Sequence, residues 1–325
     1  ESWPWWAKGL IVLVAFGGIG YARVRGVASD AMQSLNMVGW ADFDSTFVDW
    51  NGDIGATNVR IWPWDGDPET DAIKIERFVI DTPGWGWMLK SAFSFGGSSS
   101  LLKNRAARWA AKAAEKANEG SPLEDIPAMP RIHARFENVV FSDYAHQYML
   151  DDSVQGLASG SVFEGEGCGQ DIYWTEGELV GNLGLRSPGV NFELDLQATG
   201  SESISMLFKL DAPGRSAWRY EANWQAPHDG NLVLIDWEQA KLRDEMWTVE
   251  DDGFVAARNT YCAGRDQLTE AQFVDQHVDY LQRRLLNWGL LADPALINAY
   301  RAFASTGGRT LTWSAKPIDP VSLDK

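Results

Sequence analysis

Three stretches alternate apolar and polar residues along their whole length: Val190-Phe192-Leu194-Leu196, Ile204-Met206-Phe208-Leu210 and Trp218-Tyr220-Ala222-Trp224, and Leu232-Leu234 opens a fourth. Their first members stand at 190, 204, 218 and 232, a constant step of 14 residues. A period of two gives each strand one apolar and one polar face. The connections Thr199-Gly200-Ser201, Ala212-Pro213-Gly214 and Pro227-His228-Asp229-Gly230 are too short for a crossover, so the neighbours must be antiparallel. This predicts an antiparallel meander. The strands share no signature beyond alternation, and the step therefore reflects equal strand and turn lengths, not a solenoid repeat.

Other strands precede the meander. Phe47, Val48 and Trp50 lead into Asn51-Gly52, a tight-turn signal, and Ile54 to Trp62 alternates after it. The run Trp62-Pro63-Trp64-Asp65-Gly66-Asp67-Pro68 reads as a loop. Ile73, Ile75 and Phe78 to Ile80 form a further strand, and Ile132, Ala134 and Phe136 continue into Asn138-Val139-Val140-Phe141. Helices follow the meander. Thr269-Glu270-Ala271-Gln272 is a capping box that opens a helix to about Asn287, with His277 on its packed side as a core histidine. Asp293-Pro294 opens a second helix to about Ser305, stopped by Gly307-Gly308, and Thr310 to Ala315 is a last strand. Val233, Ile235 and Trp237 fall out of phase with Leu232 and Leu234, so the fourth strand reads as apolar on both faces. The α-hairpin is expected to cover it and to bury Trp237, Trp288 and Tyr300.

The longest apolar run, Gly9 to Ala22, follows Trp3, Trp5, Trp6 and Lys8. Its fourteen residues reach about 21 Å as a helix, and the span becomes sufficient for a bilayer if Lys8 snorkels and the tryptophans sit at the interface. A signal peptide and a buried helix are the competing readings. Ala22-Arg23-Val24-Arg25 occupies the place where a small-x-small cleavage site would be expected, which favours an uncleaved anchor. Arg23 and Arg25 outnumber Lys8, and the positive-inside rule alone would leave the body in the cytoplasm. The two cysteines argue the other way. Cys168 and Cys262 lie in glycine-containing contexts suited to loop ends, and a lone pair in a long chain suits an oxidising compartment. A Cys168–Cys262 disulfide and an extracytoplasmic body are expected; two unrelated buried thiols are the alternative.

These signals divide the chain into a transmembrane anchor (1–25), an N-terminal β segment (26–95), a linker and basic helix (96–120), and a meander with a C-terminal α-hairpin (121–325). Ser29 to Gly39 could extend the anchor helix. The fold class expected is mainly β with α: a transmembrane helix, a meander forming a curved sheet, and an α-hairpin packed on that sheet. The helix Leu101 to Glu119 carries Lys103, Arg105, Arg108, Lys112 and Lys116 and is the single basic island. Its stripe of Leu102, Ala106, Trp109 and Ala113 fits either an anionic lipid surface or, since it is mostly alanine, a surface helix paired with carboxylates of the same molecule.

Composition narrows the chemistry. With 45 Asp plus Glu against 28 Lys plus Arg, a net charge of -17 repels phosphate backbones, and no nucleic-acid partner is expected. The four histidines lack metal-ligand spacing, no nucleophile elbow or phosphate loop is present, and neither Asn51-Gly52-Asp53 nor Asp65-Gly66-Asp67 completes a calcium loop. Asp151-Asp152, Asp251-Asp252 and Glu164 with Glu166 read as turn or edge residues, not as acid/base pairs. No cofactor, metal or catalytic residue is assigned. The 17 tryptophans remain to be explained. Trp3, Trp5 and Trp6 read as an interfacial belt, and Trp218, Trp224, Trp237 and Trp288 as core. Trp62, Trp64, Trp85, Trp87 and Trp109 are the ligand-binding candidates.

An N-terminal anchor followed by Gly52-Asp53-Ile54-Gly55-Ala56-Thr57-Asn58-Val59-Arg60-Ile61, and later by Phe136-Glu137-Asn138-Val139-Val140-Phe141, resembles the AsmA-like envelope proteins of Gram-negative bacteria. The shared phrase is an Asn-Val entering a strand, and the likeness covers the first third of the chain. It implies a periplasmic protein anchored in the inner membrane, whose curved sheet carries lipid in an apolar groove. This chain is short for a bridge between membranes, and it closes with an α-hairpin. The function expected is non-catalytic binding of lipid or another apolar envelope component in a sheet-lined groove. The partners would be the inner membrane through residues 3–22, a lipid, and an envelope protein. A structural or interaction protein with a closed core is one alternative, and a glycan-binding or glycan-processing protein is the other.

Overall fold

A computed structural model describes residues 40–88, 129–142, 165–168, 174–185, 189–227, 232, 239–287, 291–317 and 321–322. The anchor at 3–22, residues 29–39, the linker at 96–100, the basic helix with Trp109, and Asp151, Asp152, Glu164, Trp237 and Trp288 all lie outside the described residues. Among the described residues, no helix is long and apolar enough to cross a membrane.

Among the described residues, eleven strands form one antiparallel sheet: β1 (Trp40–Asp42), β2 (Ser45–Val48), β3 (Ile54–Trp62), β4 (Ile73–Asp81), β5 (Arg131–Val140), β6 (Val190–Ala198), β7 (Ser203–Ala212), β8 (Ser216–Gln225), β9 (Lys241–Asp251), β10 (Thr310–Ala315) and β11 (Val321–Ser322). From β3 to β10 each strand pairs with the next in sequence. Both β1 and β2 pair with β3, and both β10 and β11 pair with β9, so each edge of the sheet is a strand broken in two. β4 pairs with β5, which joins the N-terminal strands to the meander in a single sheet.

The three alternating stretches are β6, β7 and β8, antiparallel as expected, with Leu194 opposite Phe208 and Phe208 opposite Tyr220. The fourth strand differs from expectation. Leu232 is buried in a connection, where its N–H donates to the carbonyl of Met129, and the strand hydrogen-bonded to β8 is Lys241–Asp251. The alternation of that strand is hidden because a register shift at Asn223/Trp224 moves its phase and because Glu245 occupies a place on the apolar face. Residues 233–238 lie outside the described residues.

The two Asn-Val phrases have a common structural cause. On β3 the apolar face passes from Ala56 to Val59, on β4 from Ile75 to Phe78, and on β5 from Phe136 to Val139, so each strand slips phase by one residue. The slips align across the sheet. Asn58 and Asn138 take positive φ (51° and 53°), a conformation Asn tolerates because its short side chain hydrogen-bonds locally. Asn138 Nδ2 donates to Glu76 Oε2 at 2.8 Å, and Asn58 Nδ2 donates to Asp44 Oδ2 at 2.7 Å. Val59 and Val139 are thereby returned to the core. On the other face Val79 is buried beside Gly55, where an added Cβ would strike the Phe47 ring and stand 2.5 Å from the Phe78 carbonyl oxygen.

Because the strands alternate in direction, one end of the sheet gathers the 63–72 loop, the β5–β6 connection, the 213–215 turn and the β9–β10 connection. Among the described residues that end carries four helices: α1 (Glu176–Leu183), α2 (Phe254–Asp266), α3 (Glu270–Asn287) and α4 (Pro294–Thr306). The expected α-hairpin is α3 and α4, with the Thr269/Gln272 capping box and the Asp293 cap in place. α1 and α2 add to it. Phe254, Val255, Phe273, Val274, Val278, Leu281, Tyr300 and Phe303 pack with Val249 and Leu311 of the sheet into one core. Asp251 fixes the junction: its carboxylate accepts from Val255 N–H (2.9 Å) at the start of α2 and from Gly308 N–H (2.6 Å) after α4. Cys168, in the β5–β6 connection, is disulfide-bonded to Cys262 of α2, with Cα atoms 5.4 Å apart.

Candidate functional site

Register places one continuous row of side chains across the apolar face: Ala134, Leu194, Phe208, Tyr220, Trp247 and Trp313, on β5 to β10. From Leu194 onward every member is only half-buried. On one side of the row, Leu210, Trp218, Val249 and Leu311 lead into the helical core. On the other, Leu196, Ala222 and Trp224 pack with Ala226, Leu232 and Ala240. Packed clusters thus line the first flank and the β6–β8 part of the second, where Glu245 and the exposed Ala315 follow on β9 and β10, while the row between keeps accessible apolar surface. Its aromatic end is ordered: Tyr220 and Trp247 have ring centroids 4.3 Å apart, and Trp247 stacks on Trp313 at 5.7 Å with planes 10° apart. Such pairs hold their rings in fixed orientation.

A charge lies on this face beside the aromatic end of the row. Glu245 sits between Ala222 and Ala315, two residues from Trp247, and interacts with the Tyr220 hydroxyl. Burial and the Glu245 charge push the Tyr220 phenol above its ordinary pKa, so it remains a proton donor.

The tryptophans chosen from sequence are not brought together. Trp62 and Trp64 stand at one end of β3, whereas Trp85 and Trp87 stand beside the 49–53 turn at its other end. Nine residues of strand separate the two pairs by roughly 30 Å. Trp64 is 57% exposed and meets Trp40 edge to face, with the Trp40 Nε1–H donated to the Trp64 carbonyl at 3.1 Å. Trp85 donates its Nε1–H to the carbonyl of Trp50, itself 94% exposed at the turn. Trp62 and Trp87 are half-buried. Of the core assignments, Trp224 is buried and Trp218 half-buried.

Two polar clusters lie apart from the row. On the polar face His133 lies between Asp81 (2.5 Å) and Glu193 (3.3 Å), with Arg135, Lys209 and the Arg131–Asp195 pair around them. Burial works against the Asp81 carboxylate, but the hydrogen bonds from His133 and Arg135 outweigh it and hold its pKa below the usual range. These charges neutralise one another across strands, as in a solvated charge-paired face. In the helical cap, His277 is fully buried. Its Nδ1–H donates to the Glu166 carbonyl (2.6 Å), and its Nε2 accepts from Tyr300 Oη (2.7 Å) and Arg258 (3.0 Å). Burial, then the Arg258 guanidinium, drives its pKa well below the ordinary value. Sealed from solvent and committed to three partners, it is a structural histidine, as its helix face foretold.

Alternation foretold the apolar row as far as Tyr220. It missed Trp247, Trp313 and Glu245, because the phase of β9 could not be read across the Asn223/Trp224 shift. Compared with models of known protein families, with curated proteins and with solved structures, the chain matches none of them.

Proposed function

We propose that this chain is a non-catalytic, membrane-anchored periplasmic protein that binds lipid or another apolar envelope component along the row Leu194-Phe208-Tyr220-Trp247-Trp313. The observation that carries the proposal is the half-exposure of five consecutive large side chains between two packed clusters. Leaving such a stripe open to water forgoes about 25 cal/mol for every Å² of apolar surface, and an apolar ligand recovers it. The disulfide supports an oxidising compartment. The sequence resemblance to AsmA-like proteins and the apolar run at 9–22 point to the inner membrane. A glycan platform is less well supported. Trp40 and Trp64 meet at 70° and offer no flat surface, and the nearby Asp67 and Asp71 carboxylates bind N–H groups of their own loop.

The test places the photo-crosslinker p-benzoylphenylalanine at Phe208 and, as the opposite-face control, at Arg219 in the full chain expressed in Gram-negative cells. Lipid adducts at 208 and none at 219 are expected. Equal labelling at both positions, or none at 208, refutes the proposal.

A further inference from the structure

The apolar row ends in a chemical discriminator. Glu245 lies on the apolar face by two independent pairings, opposite Ala222 of β8 and opposite Ala315 of β10. Its neighbours along and across the strands are Trp247, Tyr220, the buried Ala222 and, on its other side, the exposed Ala315. Asp244, the residue before it, points to the other face, where Asn223 Nδ2 donates to it at 2.7 Å. Among the described residues no lysine, arginine or histidine pairs with Glu245, whereas the polar-face carboxylates Asp81, Glu193, Asp195 and Glu221 each hold a cation. A carboxylate half-removed from water, without a counter-charge and beside Tyr220 and Trp247, attracts hydrogen-bond donors and cations and repels anions.

We propose that the ligand of this row is an amphiphile whose polar end is a hydrogen-bond donor without negative charge, a hydroxyl or an ammonium group, seated against Glu245 with its apolar body along Trp247, Tyr220 and Phe208. The assignment rests on the apolar-ligand function proposed above and adds head-group selection to it. Tyr220 takes part as a positioning residue: its hydroxyl interacts with Glu245, and its ring lies against Trp247 at a tilt of 38°. A carboxylate or phosphate at the same place would meet the Glu245 charge directly.

Three 12-carbon alkyl diazirines that differ only in the head group, amine, alcohol or carboxylate, test this on the full chain reconstituted in nanodiscs. After irradiation at pH 7.5, labelling is counted on peptides spanning β8 and β9. The amine and alcohol probes are expected to label these peptides at least tenfold more than the carboxylate probe, and Glu245→Gln should abolish that preference while the alcohol probe still labels. Near-UV circular dichroism of the variant, dominated by the stacked tryptophans, verifies that the ladder is intact. Equal labelling of the wild type by all three heads overturns head-group selection and leaves apolar binding standing. Head-group selection by Glu245 is likewise overturned if Glu245→Gln keeps the wild-type preference. Failure of every probe to label β8 or β9 refutes the apolar-ligand function and this inference with it.

Discussion

Lowering the pH through the range in which a free imidazole titrates should loosen the helical cap, and His277 sets the size of the effect. In the folded chain this ring is neutral by construction. Its Nδ1–H is donated to the Glu166 carbonyl, and a second proton on Nε2 would face the Arg258 guanidinium, which is positively charged and can only donate. The other charged groups nearby offer no relief, since the Glu166 carboxylate is held by Arg284 at 2.6 Å. The folded pKa therefore lies well below 6.5, whereas the unfolded imidazole titrates near 6.5. The unfolded state binds the extra proton, and stability falls as pH falls, with a limiting slope of about 1.4 kcal/mol per pH unit. Between pH 7.5 and 5 the loss integrates to about 2 kcal/mol for one site. Carboxylates with depressed pKa, such as Asp81, Glu193 and Asp195, lose their contribution as pH falls below about 5, at the lower edge of this window, and Asp53, whose carboxyl is raised by burial, acts there in the opposite direction; comparison with the His277 variant cancels both. Urea unfolding of the full chain at pH 7.5, 6 and 5, followed by near-UV circular dichroism, measures the loss. His277→Gln should be less stable at pH 7.5 by about 1–3 kcal/mol, for lost buried hydrogen bonds, yet lack the slope. Parallel pH profiles for wild type and variant would refute the reasoning.

Two further outcomes follow from the packing. The disulfide joins residues 94 apart in sequence, and the loop-entropy relation assigns such a ring about 4–5 kcal/mol, so mild reduction should lower the urea midpoint of the cap strongly. An unchanged midpoint, with both thiols shown to be free, would mean that the contacts of the 165–168 turn with α3 suffice. Gly55→Ala should destabilise the β2–β3–β4 corner by about 1–3 kcal/mol, because the Phe78 carbonyl is backbone and cannot yield. Combining it with Phe47→Ala should recover only part of that loss, measured as the difference between the two unfolding midpoints.

What the sequence disclosed depended on whether a signal was local. Capping boxes and turns act within four residues, and they placed α3, α4 and the ends of β3 and β10 closely. The disulfide was legible from composition and context. α2 escaped because its buried face carries Arg258 and Asn259, which satisfy each other and His277 instead of presenting an apolar stripe. α1 escaped although Thr175-Glu176-Gly177-Glu178 is a capping box in plain view, because only Leu179 of its eight residues is buried and no periodic face follows. The constant 14-residue step misled at its fourth member for a similar reason: a rule about equal turns cannot register a turn that is longer. The candidate site suffered most. Tryptophans adjacent in sequence at 62 and 64 or 85 and 87 were separated by a strand, while those at 247 and 313, distant in sequence, were stacked by strand pairing alone.

The broken strands at the two edges bear on a hazard that every open sheet shares. Among the described residues this sheet, unlike a barrel, has two flanks whose backbone groups could recruit further strands, including those of another copy of the same chain. At one flank the edge changes course between Asp42 and Ser45, with the Phe43 N–H turned onto the Asp42 carboxylate and the Asp44 N–H onto the Thr57 carbonyl. At the other, the pairing with β9 stops at Ala315 and resumes at Val321. A straight incoming strand would find donors and acceptors in register for only a few residues before losing alignment. Self-limitation is thus written into the flanks, and a sheet with half-buried apolar side chains on one face is kept from propagating sideways into a fibre.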